Sequence, residues 1–261
     1  QEAALLPAGT RLGPAQLALA LAAGHGHLAV RRRPRVLLID SGDELSSDPS
    51  VCAPHQIPAS NGVMIAAQIE AALPCTVTRI GPVADRMEAL AEALAQAGEA
   101  DVVVTTGGAS VGDHDLIRPA LAAWGAELDF WKVAVRPGKP VMVARRGHQL
   151  AVGLPGNPVS SHVIAYLFLL PLLRALLGAA HPLPRAITAL AAEDLPAAGA
   201  RREFLRAAWD GVRVSFQLNQ DSGALGALAA SNALIERIEH AGAVRAGEPV
   251  AVYLLENGGI A

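Results

Sequence analysis

The stretch Asp101-Val102-Val103-Val104-Thr105-Thr106-Gly107-Gly108 joins a run of β-branched residues to a pair of glycines. A short apolar run bounded by glycine is typical of a strand buried on both faces, as in a parallel α/β sheet. Such sheets bind ligands in the crevice at the carboxyl ends of their strands. The stretch therefore predicts a buried strand and, directly after it, a ligand-binding loop.

Outward from this stretch, strand-like and helical patterns alternate along most of the chain. Strands are predicted at residues 36–39, 76–80, 101–106 and 150–154. Helices are predicted at residues 62–72, 86–97, 116–123 and 159–177. Strands that alternate with helices indicate an α/β fold in which helical layers cover a largely parallel sheet.

The pattern changes after Gly178, where short β-like pieces occur at residues 187–190, 203–208, 212–216 and 250–255. These pieces predict a small β-rich domain, although the Ala-rich residues 224–230 interrupt the pattern. Near the start, a helical pattern begins at Pro14 and stops before Gly24. We therefore expect a linker at 1–34, an α/β domain at 35–180 and a small β-rich domain at 181–261.

The composition is that of a globular protein, with 52% hydrophobic residues, 17% charged residues and a net charge of -3. This charge balance does not predict a nucleic-acid-binding surface. Cys52 and Cys75 form no short metal-type pair, so we expect no disulfide framework or zinc site, and a cytoplasmic location. Residues 163–177 are shorter than the roughly 20 residues of a bilayer span, so we expect a buried helix and no membrane span. Residues 15–23 lack a preceding cationic region, so no signal peptide is expected.

The loop after the central strand carries the first chemical signal. Its glycines let the backbone approach a bound anion, Ser110 offers a hydroxyl group, and amides near a helix N-terminus favour phosphate. A Gly-Gly turn alone is weak evidence and is more often a plain strand-to-helix turn, but two nearby acidic residues are harder to explain structurally. The loop residues of interest are Thr106, Gly107, Gly108, Ser110, Gly112, Asp113 and Asp115.

Asp43 and Glu44 follow the first predicted strand and should lie on the same edge of a parallel sheet. Carboxylates beside a phosphate site repel the ligand unless a divalent cation lies between them. Mg²⁺, which binds a few carboxylates together with substrate phosphates, is the natural candidate. Taken alone, the two acids also fit a helix N-cap or a solvated turn.

Three cations, Lys132, Arg136 and Lys139, occur within eight positions of a mostly apolar segment. In a strand, Lys132 and Arg136 would point to one face and could grip one oxyanion. Surface cations on an edge strand are the alternative, but the rigid Pro-Gly-Lys-Pro sequence at residues 137–140 favours a shaped loop. A last turn contains Pro155, Gly156, Asn157 and Pro158, of which Pro158 is predicted to begin a helix.

The motifs GDEL, TTGGASVGDHD, RPGKP and GLPGNPVSS, in this order, resemble the C-terminal half of the molybdopterin molybdenumtransferase family, to which gephyrin is also related. The resemblance covers residues 7–255 and does not extend to the N-terminal domains of the family, which contribute further active-site residues. Molybdopterin adenylyltransferases share TTGGxSxG, but the PGKP loop and the trailing β domain favour the molybdenumtransferases.

The resemblance implies a three-layer α/β/α molybdopterin-binding domain followed by a small β-barrel-like domain, in a homodimer. The implied reaction inserts molybdenum from molybdate into adenylylated molybdopterin with the help of a divalent cation such as Mg²⁺, and releases AMP. It implies a cation-binding and catalytic role for Glu44 and Asp115, and a molybdate-facing catalytic role for Lys132 and Arg136. The implied substrate-binding residues are Asp43, Asp85, Thr106, Gly107, Gly108, Ser110, Gly112, Asp113, Lys139, Pro155, Gly156, Asn157, Pro158 and Ser222.

The chain departs from the family pattern at several positions. Ser41 and Arg136 stand where Thr and Lys are common. They keep the chemistry, because Ser retains the hydroxyl group and Arg retains the positive charge. Ala59 stands where the family commonly has the Asp of an Asp-Ser-Asn sequence, so a carboxylate is missing. Asp85 is the single acid of a segment that commonly has two.

Two other functions remain open from the sequence. A noncatalytic molybdopterin-binding or scaffold module is one, because Ala59 removes an acid and the N-terminal domains lie outside the resemblance. A molybdopterin adenylyltransferase is the other, and it is disfavoured by the PGKP loop.

Overall fold

In the computed structural model, residues 4–107, 116–138 and 140–255 of the 261-residue chain are described. The helices of these described residues are α1 (Pro14–Ala22), α2 (Ser60–Ala72), α3 (Met87–Ala95), α4 (Ile117–Ala123), α5 (Pro158–Leu176) and α6 (Leu225–Ala229). The strands are β1 (Arg35–Ser41), β2 (Leu45–Ser46), β3 (Ile57–Pro58), β4 (Thr76–Val83), β5 (Val102–Thr106), β6 (Glu127–Trp131), β7 (Val135–Arg136), β8 (Met142–Arg146), β9 (Gln149–Leu154), β10 (Ile187–Ala191), β11 (Arg202–Trp209), β12 (Arg213–Phe216), β13 (Ala233–Arg237) and β14 (Pro249–Leu254).

The first sheet has six strands in the order β4-β1-β5-β9-β8-β6. Strands β4, β1, β5 and β9 run parallel, and their β-branched residues are buried because helices cover both faces. Strands β8 and β6 continue the sheet in antiparallel pairs. The largely parallel sheet expected from the sequence is confirmed, and β6 and β8 are additions that the sequence patterns did not predict.

Successive residues of β1 point to opposite faces of the sheet. Val36 and Leu38 pack in one core cluster with residues of α2 and α5, whereas Leu37 and Ile39 pack in a second cluster with residues of α3 and α4. The domain is therefore the three-layer α/β/α arrangement that was expected.

Helix α5 is the most buried helix of the first domain. It has 19 residues, including a π-helical turn at Ala165–Leu169, and by length and composition it is apolar enough to cross a membrane. However, 67% of its most apolar window is buried inside the protein, and Tyr166, Leu169 and Leu170 are fully enclosed. The predicted buried core helix is thus confirmed.

The second sheet closes on itself. Its strand order is β12-β10-β14-β13-β11, and β11 also pairs with β12, so five strands form a small barrel. Ala189, Ala207, Val214, Ile235 and Val252 fill the interior. The sequence patterns missed β13, which is held by antiparallel pairing to β11 and β14.

The barrel is joined to the α/β domain by strand pairing and by aromatic packing. Strand β7, which precedes the barrel by many residues, pairs with β11. The Tyr166 hydroxyl of α5 donates a hydrogen bond to the Leu254 carbonyl over 3.1 Å. Tyr253 packs its ring against those of Tyr166 and Phe204 at centroid distances of 6.3 and 5.9 Å. The domain boundaries at 34/35 and 180/181 remain predictions.

Candidate functional site

The carboxyl ends of four parallel strands meet at one edge of the first sheet. Gly42, after β1, donates its backbone N–H to the carbonyl of Val83 in β4 over 3.1 Å. Gly107, after β5, lies against the carbonyl of Ser41, and a Cβ placed on Gly156, after β9, would stand 3.6 Å from Gly107 Cα. Gly42, Gly107 and Gly156, the described residues at which these turns begin, therefore lie close to the same edge.

Gly107 has a backbone conformation that requires glycine. Its φ is +88°, and an added Cβ would stand closer than 3.0 Å to the Ser41 carbonyl oxygen. Its neighbour Thr106 is buried and donates its hydroxyl hydrogen to Asp40. The other predicted residues of this loop, Gly108, Ser110, Gly112, Asp113 and Asp115, lie outside the described residues, as does Lys139.

Three acids gather beside this loop. The Asp43 carboxylate accepts the backbone N–H of Asp85 over 3.0 Å. Glu44 folds back over Gly42, with its carboxylate oxygens 2.7 and 2.8 Å from the position that a Gly42 Cβ would occupy. Burial, and then the nearby charges of Asp43 and Glu44, raise the pKa of Asp85. The structure thus brings Asp43, Glu44 and Asp85 together as one interacting acidic group.

Within residues 4–107, 116–138 and 140–255, no group of three or more His, Cys, Asp or Glu side chains is arranged to hold a metal ion. The predicted ligand pair Glu44 and Asp115 includes a residue outside these ranges. The described acids are carboxylates, which are the ligands that Mg²⁺ prefers, but a complete metal centre is not among them.

The turn at residues 155–158 is fixed from two sides. Asn61 of α2 donates its side-chain amide to the Gly156 carbonyl over 2.6 Å. Ser161 donates its hydroxyl to the Pro155 carbonyl over 2.5 Å. Pro158 is the first residue of α5, as the sequence predicted. The sequence patterns did not single out Asn61, and its contact with Gly156 makes it part of the site.

Ser222 reaches this turn from the barrel. Its hydroxyl oxygen accepts the Asn157 side-chain amide over 2.8 Å, and its carbonyl accepts the backbone N–H of Val159 over 3.2 Å. The implied approach of a small-domain serine to the site therefore has a direct structural counterpart.

The expectation that Lys132 and Arg136 share one face of a strand is wrong. Strand β6 ends at Trp131, and Lys132 has a φ of +82°, which turns the chain. Arg136 lies in the short strand β7, which pairs with the barrel strand β11 and not with β6. Lys132 places its ammonium 3.8 Å from the Trp131 ring centroid, and Arg136 lies 3.3 Å from Glu203 of β11. The turn at Lys132 and the pairing of β7 with the barrel, rather than the periodicity of one strand, set their directions.

Sequence reasoning also missed Arg206, a fully buried residue of β11. One guanidinium nitrogen, Nη2, donates to the carbonyls of Asn219 and Asp221 over 2.7 and 2.9 Å. Burial lowers the pKa of Arg206, and its Nε and Nη1 have no hydrogen-bond partner in the described part of the chain. An arginine inside the otherwise apolar run 204–208 was the available signal. Arg206 holds the loop that precedes Ser222.

Asp40 is a second residue that was missed. It is the sixth of seven residues in β1, and it is buried. Burial raises the pKa of Asp40, an effect that hydrogen bonds from Thr106 and Gly62 and the charge of Arg79 partly offset. A charged residue at the end of an apolar strand, two residues before the GDEL turn, was the signal in the sequence.

Known families match both parts of the chain. The family described as "Probable molybdopterin binding domain" matches residues 38–175, and the "MoeA C-terminal region (domain IV)" matches residues 188–255. A molybdopterin molybdenumtransferase from Nostoc sp. is 39% identical over 182 residues, which are 67% of this chain and 41% of that protein. Molybdopterin molybdenumtransferase 2 from Mycobacterium tuberculosis is 34% identical over 257 residues, which are 92% of this chain and 61% of that protein.

A solved structure of a molybdopterin biosynthesis MoeA protein from Pyrococcus horikoshii has the same fold. It superimposes with a TM-score of 0.82 and 29% sequence identity over 96% of this chain and 62% of that one. The chain thus spans 41% and 61% of the length of the two curated relatives. On the family matches, the identities and the common fold, the chain belongs to the MoeA-like molybdopterin molybdenumtransferase family.

Proposed function

We propose that this protein inserts molybdenum from molybdate into adenylylated molybdopterin, with release of AMP. The observation that carries the proposal is the meeting, at the carboxyl edge of one parallel sheet, of the glycine loop, the acidic group and the 155–158 turn, with Ser222 added from the barrel. Family membership supports a role in molybdenum cofactor biosynthesis.

The glycine loop suits the phosphate groups of the substrate. At Gly107 the Ser41 carbonyl takes the place of a side chain, so the loop begins in close contact with the end of β1. We propose that residues 106–113 bind the pyrophosphate through backbone amides and the Ser110 hydroxyl. Pro155, Gly156, Asn157, Pro158 and Ser222 would border the same substrate from the other side.

The acids would act together with a divalent cation. Burial, and then the charges of Asp43 and Glu44, raise the pKa of Asp85, so these acids repel one another, and an anionic substrate would add a further repulsion. Mg²⁺ relieves both, because it binds carboxylates and phosphate oxygens at once. We propose that Glu44 and Asp115 hold the cation, and that Asp43 and Asp85 support them. When bound, the cation would supply charge neutralisation at the phosphate that leaves as AMP.

Lys132 and Arg136 would bind molybdate, a dianion that requires positive donors. Lys132 lies in the turn after β6 and Arg136 lies in β7, so they would grip the anion from two directions and not from one strand face. The proposal includes Lys139, in the Pro-Gly-Lys-Pro sequence at residues 137–140, as a further cation. A homodimer in the cytoplasm is the assembly and location that we propose from the family resemblance.

The test is a single-turnover reaction of the protein with adenylylated molybdopterin, Mg²⁺ and molybdate. Two products are measured: the AMP that is released and the molybdenum that becomes bound to the pterin. We expect both products to form only when molybdate is present, and Glu44→Gln to reduce the rate at least tenfold. Glu70→Gln, which removes the same charge from the exposed face of α2, should have no effect.

Two results would assign a different function. Tight binding of adenylylated molybdopterin without AMP release, in wild-type protein and at every molybdate concentration, would indicate a noncatalytic binding module. Ala59, which stands where the family commonly has an acid, favours this second candidate. Consumption of ATP with molybdopterin as substrate would instead indicate an adenylyltransferase.

A further inference from the structure

One buried carboxyl group at the site has no part in the proposed chemistry. Asp40 is only 3% exposed. Its carboxylate receives the hydroxyl hydrogen of Thr106, the last residue of β5, and lies in close contact with Gly62 in the first turn of α2, whose backbone N–H helps to lower the pKa of Asp40. Burying a carboxylate is costly unless donors of this kind surround it. Asp40 therefore connects three elements: β1, β5 and α2.

Two glycines leave space for Asp40, one for its carboxylate and the other for its backbone carbonyl. A Cβ on Gly62 would stand closer than 3.0 Å to the Asp40 carboxylate, and a Cβ on Gly81 would stand 2.5 Å from the Asp40 carbonyl oxygen. Any other residue at position 62 would displace the Asp40 side chain. The close fit between Asp40 and Gly62 makes their contact a specific feature of the packing.

The helix that Asp40 contacts lacks a cap of its own. Ala59 is the N-cap residue of α2 and has no side-chain acceptor, and the first turn of the helix contains no acidic residue. The first N–H groups of a helix have no partners within the helix, and its N-terminus favours negative charge. Gly62 is the third residue of α2, and its N–H is the one that a capping side chain commonly accepts.

The same three elements lead directly to site residues. Strand β1 continues into Asp43 and Glu44, and β5 continues into Gly107. Helix α2 carries Asn61 next to Gly62, and Asn61 holds the Gly156 carbonyl at 2.6 Å. We propose that Asp40 is a positioning residue of the candidate site: it supplies from β1 the capping carboxylate that α2 lacks at Ala59, and so holds Asn61 against the 155–158 turn.

The decisive experiment compares Asp40→Asn with the double variant Asp40→Asn/Ala59→Asp. Asparagine keeps an acceptor for Thr106 but turns an N–H₂ donor toward the Gly62 N–H. We expect amide hydrogen exchange at residues 60–62 to accelerate about fivefold, the value that corresponds to an N-cap worth about 1 kcal/mol. The side-chain amide signals of Asn61 should also move, because its bond to Gly156 loosens. Ala59→Asp, which places a capping carboxylate at its ordinary position, should reverse at least half of both changes.

Glu70→Gln is the matched control, because it removes one negative charge from the exposed face of the same helix. It should leave exchange at 60–62 and the Asn61 signals as in the wild type. A merely structural role for Asp40 predicts lower stability without rescue from position 59, so the rescue separates the two roles. If Asp40→Asn does not fold, recovery of folded protein in the double variant supports the proposal, and continued unfolding overturns it.

The positioning role of Asp40 rests on the proposed function in one respect only, which is the expected change in ligand affinity. For adenylylated molybdopterin we expect about a fivefold loss in Asp40→Asn and recovery in the double variant. Unchanged exchange and unchanged Asn61 signals in Asp40→Asn would overturn the positioning role. Absence of binding in the wild-type protein would count against the proposed function alone, because the other two measurements need no ligand.

Discussion

The side-chain amide of Asn157 donates a hydrogen bond to Ser222 Oγ over 2.8 Å, and the two residues belong to different domains. The Ser222 carbonyl also accepts the N–H of Val159 in the first turn of α5. Asn157, the N-cap residue of α5, makes no side-chain capping bond of its own. The barrel therefore provides the acceptors that the start of α5 would otherwise lack.

Ser222→Ala should weaken the attachment of the barrel to the 155–158 turn. The variant loses one hydrogen bond, so the free energy of unfolding should fall by about 1 kcal/mol, and affinity for adenylylated molybdopterin should fall a few-fold. Urea unfolding and ligand titration would measure the two effects. Ser231→Ala is the control, because Ser231 donates to Ala227 over 2.7 Å within the barrel. Equal losses of affinity in both variants would contradict a specific role for Ser222.

Gly107→Ala should destabilise the protein more than Gly125→Ala. Both glycines have nearly the same positive φ, +88° and +87°, so their conformational strain on substitution is matched. They differ in their surroundings: a Cβ at Gly107 would overlap the Ser41 carbonyl, whereas the nearest atom to a Gly125 Cβ is Arg146 Nε at 3.9 Å. We expect a loss of about 1 kcal/mol at Gly125 and at least about 2 kcal/mol more at Gly107. Chemical denaturation measures both, and similar losses would mean that the Ser41 contact is unimportant.

Asp85→Asn should raise the thermal midpoint near pH 7. Burial and the charges of Asp43 and Glu44 raise the pKa of Asp85, so protonation of Asp85 favours the folded state. That contribution is present below the unfolded pKa of about 3.9 and is lost as pH rises through the folded pKa. The gain from Asp85→Asn should therefore shrink as the pH is lowered toward about 4, and Mg²⁺ should reduce it near pH 7.

Asp210→Asn is the control of opposite sign for this experiment. Backbone N–H groups of Arg213 and Val212 lower the pKa of Asp210, so its ionised form favours the folded state above the unfolded pKa. At about pH 7, the thermal midpoint of Asp210→Asn should therefore be lower than that of the wild type. A midpoint for Asp85→Asn that falls in the same way would show that Asp85 makes a net favourable contact.

Arg136→Ala should leave stability nearly unchanged but reduce the molybdate dependence of the reaction. The Arg136–Glu203 pair at 3.3 Å involves an arginine side chain that is 57% exposed, and such pairs contribute about 0–1 kcal/mol. Arg145→Ala offers a matched control, because Arg145 is 61% exposed and lies 3.2 Å from Asp129. We expect the molybdate concentration for half-maximal rate to rise about tenfold or more for Arg136→Ala only. Equal behaviour of the two variants would remove Arg136 from the molybdate site.

Some parts of the fold could be predicted because their causes are local. The run at 102–104 is buried on both faces, so its residues are uniformly apolar and the strand is evident from the sequence. Strand β6 could not be predicted in this way, since four of its five residues are exposed and its place depends on pairing with β8. Strand β13 likewise forms through its partners β11 and β14.

The sequence by itself determined the α/β class, the buried helix α5 and the sheet edge at which the turns after β1, β5 and β9 begin. These three features follow from hydrophobic periodicity and from the rule that parallel strands end at one edge of the sheet. Both depend only on single elements or on elements that follow one another in the chain. Only the tertiary structure decided that Ser222 meets Asn157, that Asp40 meets Gly62, and that Lys132 follows the end of β6 while Arg136 lies in β7, which pairs with the barrel. Such contacts join residues that are distant in the chain. Strand pairing and close packing determine them, and neither produces a periodic pattern in the sequence.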